Sequence, residues 1–373
     1  MINKAQKEFI QSNLNSDVRS LALKGTDKFI LEQIAGRQKA STKLPLFANN
    51  FDLVLPSQIS LEQCSSESTA DYKSSITTGD VAIDMTGGLG IDSIKLADSF
   101  NKVIYIEKNK ILSDIFRYNI NLLNIKNIEI RNQDSLDYLK NTNKVDLIYA
   151  DPARRSNTRK VFALKDCEPN LVEIFDLIVL KSNKFLFKLS PMLDLSSVSK
   201  SLNYNINFHA IKYQNEIKEL LTCNFGANYC AVDLDKNILS SYSNKDSNTT
   251  FSNEGKYLYE AEPQVLKLGI SDKIATENNI NKIAPNTYFY LSNESKNINH
   301  FSKFEIIKMD GLNKLNLSEI KNTGAIVKSR NYFLGAKEIR IKYKIKEGKD
   351  IYYFFFRDIN DYGKFAICKR VME

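Results

Sequence analysis

Four acidic residues of the sequence each follow a short apolar run. The runs VAI, VIYI, IEI and LIYA are followed, at once or within a few residues, by Asp84, Glu107, Asp134 and Asp151. The carboxyl ends of parallel strands share one edge of an open α/β sheet, and ligands bind at that edge. Carboxylates accept hydrogen bonds from hydroxyl and amino groups. This pattern predicts a binding site for a polar, amine-bearing ligand.

The first acid opens a glycine-rich turn, DMTGGLG (84–90), in which Gly87, Gly88 and Gly90 allow a tight turn and close approach of a ligand. Dinucleotide-binding enzymes favour G-x-G-x-x-G with the turn around a pyrophosphate. A carboxylate just before the turn repels a pyrophosphate but suits an ammonium group. Glu107, on the second run, can accept hydrogen bonds from both hydroxyls of a ribose. S-adenosylmethionine carries an ammonium and a ribose, so this turn looks like that of class I methyltransferases.

The resemblance continues in four stretches: QCSSESTADYK (63–73), DMTGGLGIDS (84–93), DPARR (151–155) and DCEPN (166–170). The first lies in a segment similar to the one that precedes the glycine turn in cap-guanosine N2-methyltransferases. Together they resemble a bacterial family of class I methyltransferases with a ferredoxin-like segment and a carboxyl-terminal THUMP-like domain. The resemblance covers roughly residues 25–373, and it implies the cofactor S-adenosylmethionine.

Matching this sequence to the family motif, residue by residue, assigns the cofactor site. In the family, Asp134 corresponds to the acid near the adenine amino group, and Asp151-Pro152 to the start of the catalytic [DNS]PP[YFW] motif. The cofactor-binding residues expected from the match are Asp84, Thr86, Gly87, Gly88, Gly90, Glu107, Lys108, Asp134, Ser135 and Asp151.

The catalytic motif departs from the family where a second proline and an aromatic residue are usual. Here Ala153 and Arg154 occupy those positions. We expect catalysis from Asp151, Pro152 and Arg154: the aspartate accepts a hydrogen bond from an exocyclic N–H, and the guanidinium stacks on a base in place of the aromatic ring. Arg155 is then free to bind a phosphate. The alternative is that both arginines pair with acids such as Asp166 and Glu168 and merely fix the loop.

Four further side chains have weaker claims on this site. Lys188, on the fifth strand, can reach it, but a structural lysine is an equal interpretation. Cys167 is better interpreted as a buried, inert thiol than as a nucleophile. Tyr72 and Gln63 can touch cofactor or base, although helix packing explains the tyrosine equally well.

The elements that must position these residues alternate between strand and helix. Strands are expected at 81–84, 103–106, 128–130, 146–150 and 185–190, with helices at 90–99, 109–124, 134–140 and 168–180 between them. Such alternation predicts a Rossmann-like, doubly wound parallel sheet, and the resemblance implies seven strands. The runs 204–213, 217–223 and 228–234 are expected to form antiparallel strands that are added to the edge of this sheet. Residues 235–256 are expected to form a polar loop.

The predicted domains follow from this division. We expect an N-terminal helical region (1–75), a methyltransferase domain (76–256), a ferredoxin-like segment (257–320) and a THUMP-like α+β domain (321–373). In the helical region, 28–40 places Ile30, Ile34 and Ala35 on one face and Arg37 elsewhere. In the last domain, the run EIRIKYKIKEGK favours a helix that ends near Gly348. The run IYYFFF favours a buried strand.

Positive charge is concentrated in the last domain. Residues 321–373 hold 13 Lys and Arg against 6 Asp and Glu, an excess that nearly accounts for the chain's net charge of +8. A basic region on an otherwise near-neutral chain favours a polyanion such as RNA. The RNA-binding residues expected are Arg155, Lys337, Arg340, Lys342, Lys344 and Lys346. A merely solvated lysine face is the alternative.

Composition excludes several other classes of protein. Five cysteines without CxxC spacing and only two histidines argue against a disulfide framework, a zinc site or a histidine-based centre, so we expect no metal. No apolar run is long enough for a membrane span, and the first residues lack a secretory signal. A cytoplasmic location is therefore expected.

These observations favour a methyltransferase that modifies tRNA or rRNA, with a base nitrogen as the acceptor. Two alternatives stay open: a protein or small-molecule methyltransferase, and an RNA-binding module with a vestigial cofactor pocket. The intact acids argue against the vestigial pocket, and the basic tail argues against a non-RNA substrate. The sequence does not predict the oligomeric state.

Overall fold

The computed structural model describes residues 2–56, 58–154 and 163–371, except for the side chains of Ile59, Arg154, Lys314 and Leu315. The chain divides into two compact units. Unit 1 comprises Met1–Asn207 and Glu219–Gly226, and unit 2 comprises Phe208–Lys218 and Ala227–Glu373. None of the helices in the described part of the chain is both long and apolar enough to cross a membrane.

Eleven α-helices lie in the described part of unit 1. They are α1 (Lys4–Ser12), α2 (Val18–Leu23), α3 (Lys28–Ala40), α4 (Pro45–Asn49), α5 (Gln58–Gln63), α6 (Glu67–Ser75), α7 (Ile91–Leu96), α8 (Lys110–Leu122), α9 (Ser135–Asn141), α10 (Leu171–Lys181) and α11 (Leu195–Leu202). Polar side chains begin many of them: Ser66 accepts the Thr69 N–H at the start of α6, and Asn109 accepts those of Ile111 and Leu112 in α8. Such caps satisfy backbone donors that have no partner inside the helix.

Arg37 was not predicted to belong to the apolar face of α3, but the structure buries it. This residue is almost fully buried, and its guanidinium donates to the carbonyl of Leu53 at 2.6 Å and to Gln33 Oε1 at 2.9 Å. Burial lowers the pKa of Arg37 to about 10. A buried guanidinium needs several acceptors, and the loop after α4 provides them. Helical periodicity carries no information about that loop.

The strands of unit 1 confirm the Rossmann-like fold class. They are β1 (Gly79–Asp84), β2 (Phe100–Ile106), β3 (Ile128–Arg131), β4 (Val145–Ala150), β5 (Ala153–Arg154), β6 (Cys167–Glu168), β7 (Ser182–Leu189) and most of β9 (Glu216–Cys223). The sheet order is β9-β7-β4-β1-β2-β3, and β5 pairs with β6 in a separate ribbon. Among these strands of unit 1, all pairs in the sheet are parallel except β7 with β9.

Burial explains why the central strands were recognisable from sequence. In β4 the side chains of Leu147, Ile148, Tyr149 and Ala150 are all buried, as expected for a strand covered on both faces. Helices on both faces bury such runs, and the crossovers from strand to helix leave the polar residues at the strand ends. The fold therefore places the acids at one edge of the sheet.

Unit 2 begins with β8 (Asn207–Tyr213), β10 (Tyr229–Asp233) and β11 (Ile238–Tyr242). The expectation that these runs are all antiparallel was wrong in part. β10 pairs with β8 in parallel, because the chain reverses direction twice between them, and β10 pairs with β11 in antiparallel fashion. β11 also lies inside 235–256, which was predicted to be only a loop.

A second sheet forms the rest of unit 2. Its elements are β12 (Tyr257–Ala261), α12 (Pro263–Leu268), α13 (Ser271–Glu277), β13 (Asn281–Lys282), β14 (Phe289–Ser292), β15 (Phe301–Gly311), α14 (Lys314–Ile320), β16 (Ile326–Ser329), α15 (Ala336–Tyr343), β17 (Ile351–Arg357) and β18 (Gly363–Arg370). The strand order is β13-β14-β12-β15-β18-β17-β16. Strands from both sides of the proposed boundary at residue 320 therefore share one sheet.

The two expectations for the basic tail had different outcomes. The run IYYFFF is the buried strand β17, as predicted. The helix α15 ends at Tyr343, earlier than the predicted Gly348, and Lys344 follows it in the left-handed region with φ 53°. After Lys344, Ile345 is buried and contributes to the core beside β17, so the chain leaves the helix to bury it.

Candidate active site

The register of the sheet shows how the strand ends are staggered. Asp84 in β1 pairs with Tyr105 in β2 and with Tyr149 in β4. Glu107 and Asp151 follow those tyrosines by two residues, so both acids lie farther along the strand direction than Asp84. Neighbouring strands are about 4.8 Å apart. The ends of β4, β1, β2 and β3 thus form one continuous edge with Asp84 at its deepest point.

Asp84 lies beneath the glycine turn and helps to shape it. Its side chain is buried, and its oxygens accept hydrogen bonds from Ser93 Oγ at 2.6 Å and from the Thr86 N–H at 3.0 Å. Burial, together with the charges of Asp92 and Asp151, raises the pKa of Asp84 to about 7. This carboxyl group therefore changes its ionisation near neutral pH.

The glycines of the turn are required by close packing against aromatic rings. A Cβ atom on Gly87 would lie 2.3 Å from the ring of Tyr105, and one on Gly90 would lie 2.0 Å from Phe116. The two rings stack with their centroids 4.0 Å apart. Gly88, with φ 54°, differs because its Cβ would meet only one atom within 4 Å, the Thr86 carbonyl oxygen at 3.6 Å. The turn is therefore open at Gly88, where a ligand can approach the backbone.

Glu107 and Asp134 are both held by backbone N–H groups. Glu107 Oε2 accepts from Gly88 at 2.9 Å, and its Oε1 accepts from Asn109 at 2.7 Å. Asp134 caps α9, since its Oδ1 accepts from Leu136 and Asp137. A carboxylate oxygen can accept more than one hydrogen bond. Each side chain is thus oriented by the backbone and keeps acceptor capacity for a ligand.

Asp151 forms an ion pair with Lys188 at the end of β7. The distance from Lys188 Nζ to Asp151 Oδ2 is 2.6 Å, and the exposed fractions of the two side chains are 11% and 29%. The Asp151 N–H donates to Thr86 Oγ1 at 2.7 Å, which joins the end of β4 to the glycine turn. Burial raises the pKa of Asp151 and the Lys188 ammonium opposes this effect, so the ion pair limits how far the pKa of this carboxyl group rises.

A buried cluster of charges that the sequence reasoning missed lies beside this pair. Lys73 is 1% exposed, and its ammonium lies 2.8 Å from both Asp92 Oδ1 and Glu219 Oε2. Ser65 and Tyr149 donate to Asp92 Oδ2 at 2.8 and 2.9 Å. Although burial raises the pKa of Asp92, the Lys73 ammonium holds it below its ordinary value. Two features of the sequence could have indicated this cluster. One is the set of polar residues inside the quoted motifs, and the other is Glu219, which directly precedes LLTC in a buried strand.

The remaining predicted residues are distributed as follows. Lys108 forms an exposed ion pair with Glu168, and this hydrogen bond raises the pKa of Lys108. Pro152 is buried, and Ser135 is the first residue of α9. The Arg154 side chain and the whole of Arg155 lie outside the described residues. Their proposed roles, and their proposed pairing with Asp166 and Glu168, stay predictions.

Two of the alternative interpretations can be compared with the structure. Cys167 is buried, in agreement with its interpretation as a packed thiol, and none of the five cysteines, all of which the structure describes, forms a disulfide. Tyr72 is also buried. The Gln63 carbonyl oxygen lies 3.4 Å from Lys188 Nζ, so Gln63 contacts the site through its backbone. Within the described residues, no group of three or more His, Cys, Asp or Glu side chains is arranged to hold a metal ion.

The hydrogen-bonding groups along this edge of the sheet match those of S-adenosylmethionine. The open backbone at Gly88 leaves room beside the turn, and Glu107 presents two oriented oxygens suited to a pair of vicinal hydroxyls. Asp134 presents an acceptor suited to an amino group. Asp84, Asp92, Asp151 and Glu219 outnumber Lys73 and Lys188, so this part of the site favours a cationic ligand.

Fold and site together define a Rossmann-like methyltransferase fold with a C-terminal ferredoxin-like segment. A family model for a ferredoxin-like domain matches residues 257–298. A crystal structure of a protein from Porphyromonas gingivalis W83, proposed to be a methyltransferase, is similar over 99% of this chain and 98% of its own, with a TM-score of 0.85 and 26% identity.

A curated sequence is similar to a shorter part of the chain. It is an uncharacterised RNA methyltransferase of Thermotoga maritima, 32% identical over 120 residues. The match covers 28% of this chain and 27% of the T. maritima protein. The chain therefore spans about a quarter of the length of this relative.

Proposed function

We propose that the protein is an S-adenosylmethionine-dependent methyltransferase that modifies a nitrogen atom of a base in tRNA or rRNA. The observation that carries the proposal is the row of oriented carboxyl groups around an open glycine turn. Two further observations support RNA as the substrate: the basic residues of unit 2 and the similarity to an RNA methyltransferase. A location in the cytoplasm fits free cysteines and is part of the proposal.

The cofactor, when bound, supplies an electrophilic methyl group on a sulfonium centre. Glu107 would hold the ribose hydroxyls, Asp134 the adenine amino group, and Asp84 would lie beneath the amino-acid end. Gly88 allows the close approach, whereas Gly87 and Gly90 keep the turn against Tyr105 and Phe116. Thr86, Lys108 and Ser135 belong to the rim of this proposed pocket.

Asp151 would act on the acceptor. Its carboxylate accepts a hydrogen bond from an exocyclic N–H, which orients the nitrogen lone pair towards the methyl group. The nitrogen would form a bond to the methyl carbon as the bond from that carbon to the sulfonium sulfur breaks, S-adenosylhomocysteine would leave, and the nitrogen would lose its proton to Asp151 or to solvent. Catalysis would come from positioning and from electrostatic complementarity. Pro152 ends β4 and fixes the turn, while Arg154 and Arg155 are proposed to contact a base and a phosphate of the substrate.

Methyl transfer from labelled cofactor tests the proposal directly. The purified full-length chain would be incubated with tritiated S-adenosylmethionine and separate fractions of tRNA, rRNA, protein and small molecules from a strain that lacks the gene. We expect label in an RNA fraction, and mass mapping then identifies the base. If label appears only in the protein or the small-molecule fraction, RNA is not the substrate, and the labelled fraction gives the substrate class instead. Cofactor binding without transfer to any fraction would favour the vestigial-pocket alternative.

Cofactor affinity should depend on Asp84 and Glu107 and on pH. Replacing Glu107 with alanine removes charge-assisted hydrogen bonds worth roughly 1.5–3 kcal/mol each, so affinity should fall by tenfold or more. The pKa of Asp84 is raised to about 7. Its protonated form therefore predominates below pH 7, and a cationic ligand favours the carboxylate. Affinity should rise from pH 6 to pH 8, with release of protons on binding.

Calorimetric titration in buffers of different ionisation enthalpy measures this proton release. The control is Asp84→Asn, in which the pH dependence due to Asp84 should disappear. The same variant checks stability. A carboxyl group with a raised pKa stabilises the fold most below its unfolded pKa and loses that contribution as pH rises through 7, so Asp84→Asn should be more stable than wild type at pH 8. An unchanged affinity in both the Glu107 and the Asp84 variants would contradict the proposed cofactor site.

Binding of RNA should depend on the exposed lysines of the basic tail. Lys337, Lys342, Lys344 and Lys346 are exposed, while Arg340 is half-buried and pairs with Glu347 at 3.2 Å. If three or four phosphates are neutralised, the logarithmic salt slope of binding should be about −2 to −4. Replacing Lys342, Lys344 and Lys346 with glutamine should flatten this slope and weaken binding of tRNA or rRNA fragments, without effect on cofactor affinity.

A filter-binding series across salt concentrations makes the measurement. The control variant carries three glutamines at Lys4, Lys24 and Lys28, which are exposed lysines of the N-terminal helical region. Equal slopes for wild type and for the variant with three tail substitutions would show that the tail is only a solvated lysine face.

A further inference from the structure

We propose that Lys188 is a positioning residue of this site, because its ammonium orients the Asp151 carboxylate and keeps it ionised. The inference rests on the proposed function, since it assigns the residue through which Asp151 stays able to accept a hydrogen bond from the acceptor nitrogen. Three observations carry it: the short ion pair, the placement of Lys188 in the sheet and the surplus of acids around the pair.

The sheet fixes where Lys188 lies. β4 and β7 are parallel neighbours, and their register ends with Ala150 opposite Phe187. Asp151 and Lys188 are the next residues on the two strands, so the backbone brings them side by side. The ammonium also donates to the Gln63 carbonyl oxygen, which is 3.4 Å from Nζ. Lys188 is thus held by two elements of unit 1 and directs its charge at Asp151 Oδ2.

The charges around the pair make this ammonium necessary. The groups that act on Asp151 are Lys188, Lys73, Asp92, Asp84, Tyr149 and Cys64. Glu219 and Lys43 also act on Lys188. The Lys73 ammonium is already shared by Asp92 and Glu219 at 2.8 Å each. Lys188 is therefore the cation in contact with Asp151 within the part of the chain that the structure describes.

The ionisation state of Asp151 affects the acceptor nitrogen, which is the atom of the base that receives the methyl group. Burial raises the pKa of Asp151, and the nearby carboxylate of Asp92 acts in the same direction. Without Lys188 the pKa of the Asp151 carboxyl group would rise further, which favours its protonated form. A protonated carboxyl group has a hydroxyl donor and only a neutral, weaker acceptor, so it would orient the nitrogen lone pair less well. Because Lys188 pairs with Oδ2, the Oδ1 atom of an ionised Asp151 remains available to accept a hydrogen bond from the substrate.

A direct titration of Asp151 tests the inference without a known substrate. Carbon-13 NMR of the full-length chain with labelled aspartate carboxyl groups follows Asp151, whose resonance is identified by its loss in Asp151→Asn. An opposite charge at this distance lowers a carboxyl pKa by about one to three pH units. The pH midpoint of the Asp151 titration should therefore rise by that amount in Lys188→Met and in Lys188→Gln. The glutamine keeps a hydrogen-bond donor but lacks the charge. Lys188→Arg should restore most of the wild-type value.

The matched control is Lys184→Met, which removes the same charge from the same strand. Lys184 lies four residues from Lys188 and contacts the ring of Phe225 at 5.7 Å, so its loss should leave the Asp151 midpoint unchanged. An Asp151 midpoint that is equal in wild type and Lys188→Gln, or that moves equally in Lys184→Met, would overturn the inference. If Lys188→Met does not fold, the glutamine and arginine variants still decide.

Activity gives a second measurement once an RNA fraction has been labelled by the wild-type chain. The acid limb of the kcat profile against pH should move upwards in Lys188→Gln by the same amount as the NMR midpoint, with KM for S-adenosylmethionine nearly unchanged. If no RNA is methylated by wild type, the proposed function fails, but the titration of Asp151 still reports on Lys188. The two failures are therefore distinguishable.

Discussion

Replacing Asp151 with asparagine should lower the turnover number by about 10² to 10⁴ while cofactor affinity stays within a few-fold of wild type. The carboxylate is the acceptor that faces the substrate, whereas Glu107 and Asp134 belong to other strands and hold the cofactor. An amide of the same shape loses the charge and the second acceptor oxygen. Single-turnover rates with the labelled RNA fraction, next to calorimetric affinity for S-adenosylmethionine, measure the two effects separately.

Two further variants separate chemistry from folding. Asp146→Asn changes the other end of the same strand, where the carboxylate accepts from the N–H groups of Asp80 and Val81 at 2.8 and 3.0 Å. This variant should retain its turnover. Asp151→Asn with Lys188→Met removes the unpaired ammonium, so it should regain stability without regaining activity. A single Asp151→Asn chain that retained a tenth or more of wild-type turnover would show that the DPARR loop is structural.

Replacing Lys73 with methionine should reduce the free energy of unfolding of unit 1 by about 3–5 kcal/mol. The variant leaves Asp92 and Glu219 buried without their shared cation. Burial, no longer opposed by the Lys73 ammonium, would then raise the pKa of the Asp92 carboxyl group, so the loss should be larger at pH 8 than at pH 5. Urea denaturation of the full-length chain at the two pH values measures this difference.

An exposed ion pair of the same unit serves as the comparison. Lys39 and Glu62 lie 2.7 Å apart but are 45% and 59% exposed, and such pairs contribute about 0–1 kcal/mol. Lys39→Met should therefore have little effect. Adding Glu219→Met to Lys73→Met should recover part of the lost stability, since one of the two unpaired acids is removed. Equal losses in Lys73→Met and Lys39→Met would show that the buried cluster is not a stabilising element.

The sequence by itself determined the elements and the chemistry at their ends. Apolar runs of three or four residues predicted β1, β2 and β4, because a strand that is buried on both faces needs a continuous run of apolar side chains. The turn residues marked the crossovers, and the acids that follow the runs were recognisable because the fold places all strand ends at one edge. The positions of Asp84, Glu107, Asp134 and Asp151 follow from such local patterns.

Only the tertiary structure decided which charges meet. Lys73 and Glu219 are 146 residues apart in the chain and are joined by β9, whose antiparallel pairing with β7 is a long-range event. The burial of Arg37 depends on carbonyl groups of a distant loop, and the pairing of Lys188 with Asp151 depends on β7 lying next to β4. Periodicity reports the environment of one segment at a time. The partner of a buried charge is set by packing between segments, so no local pattern reveals it.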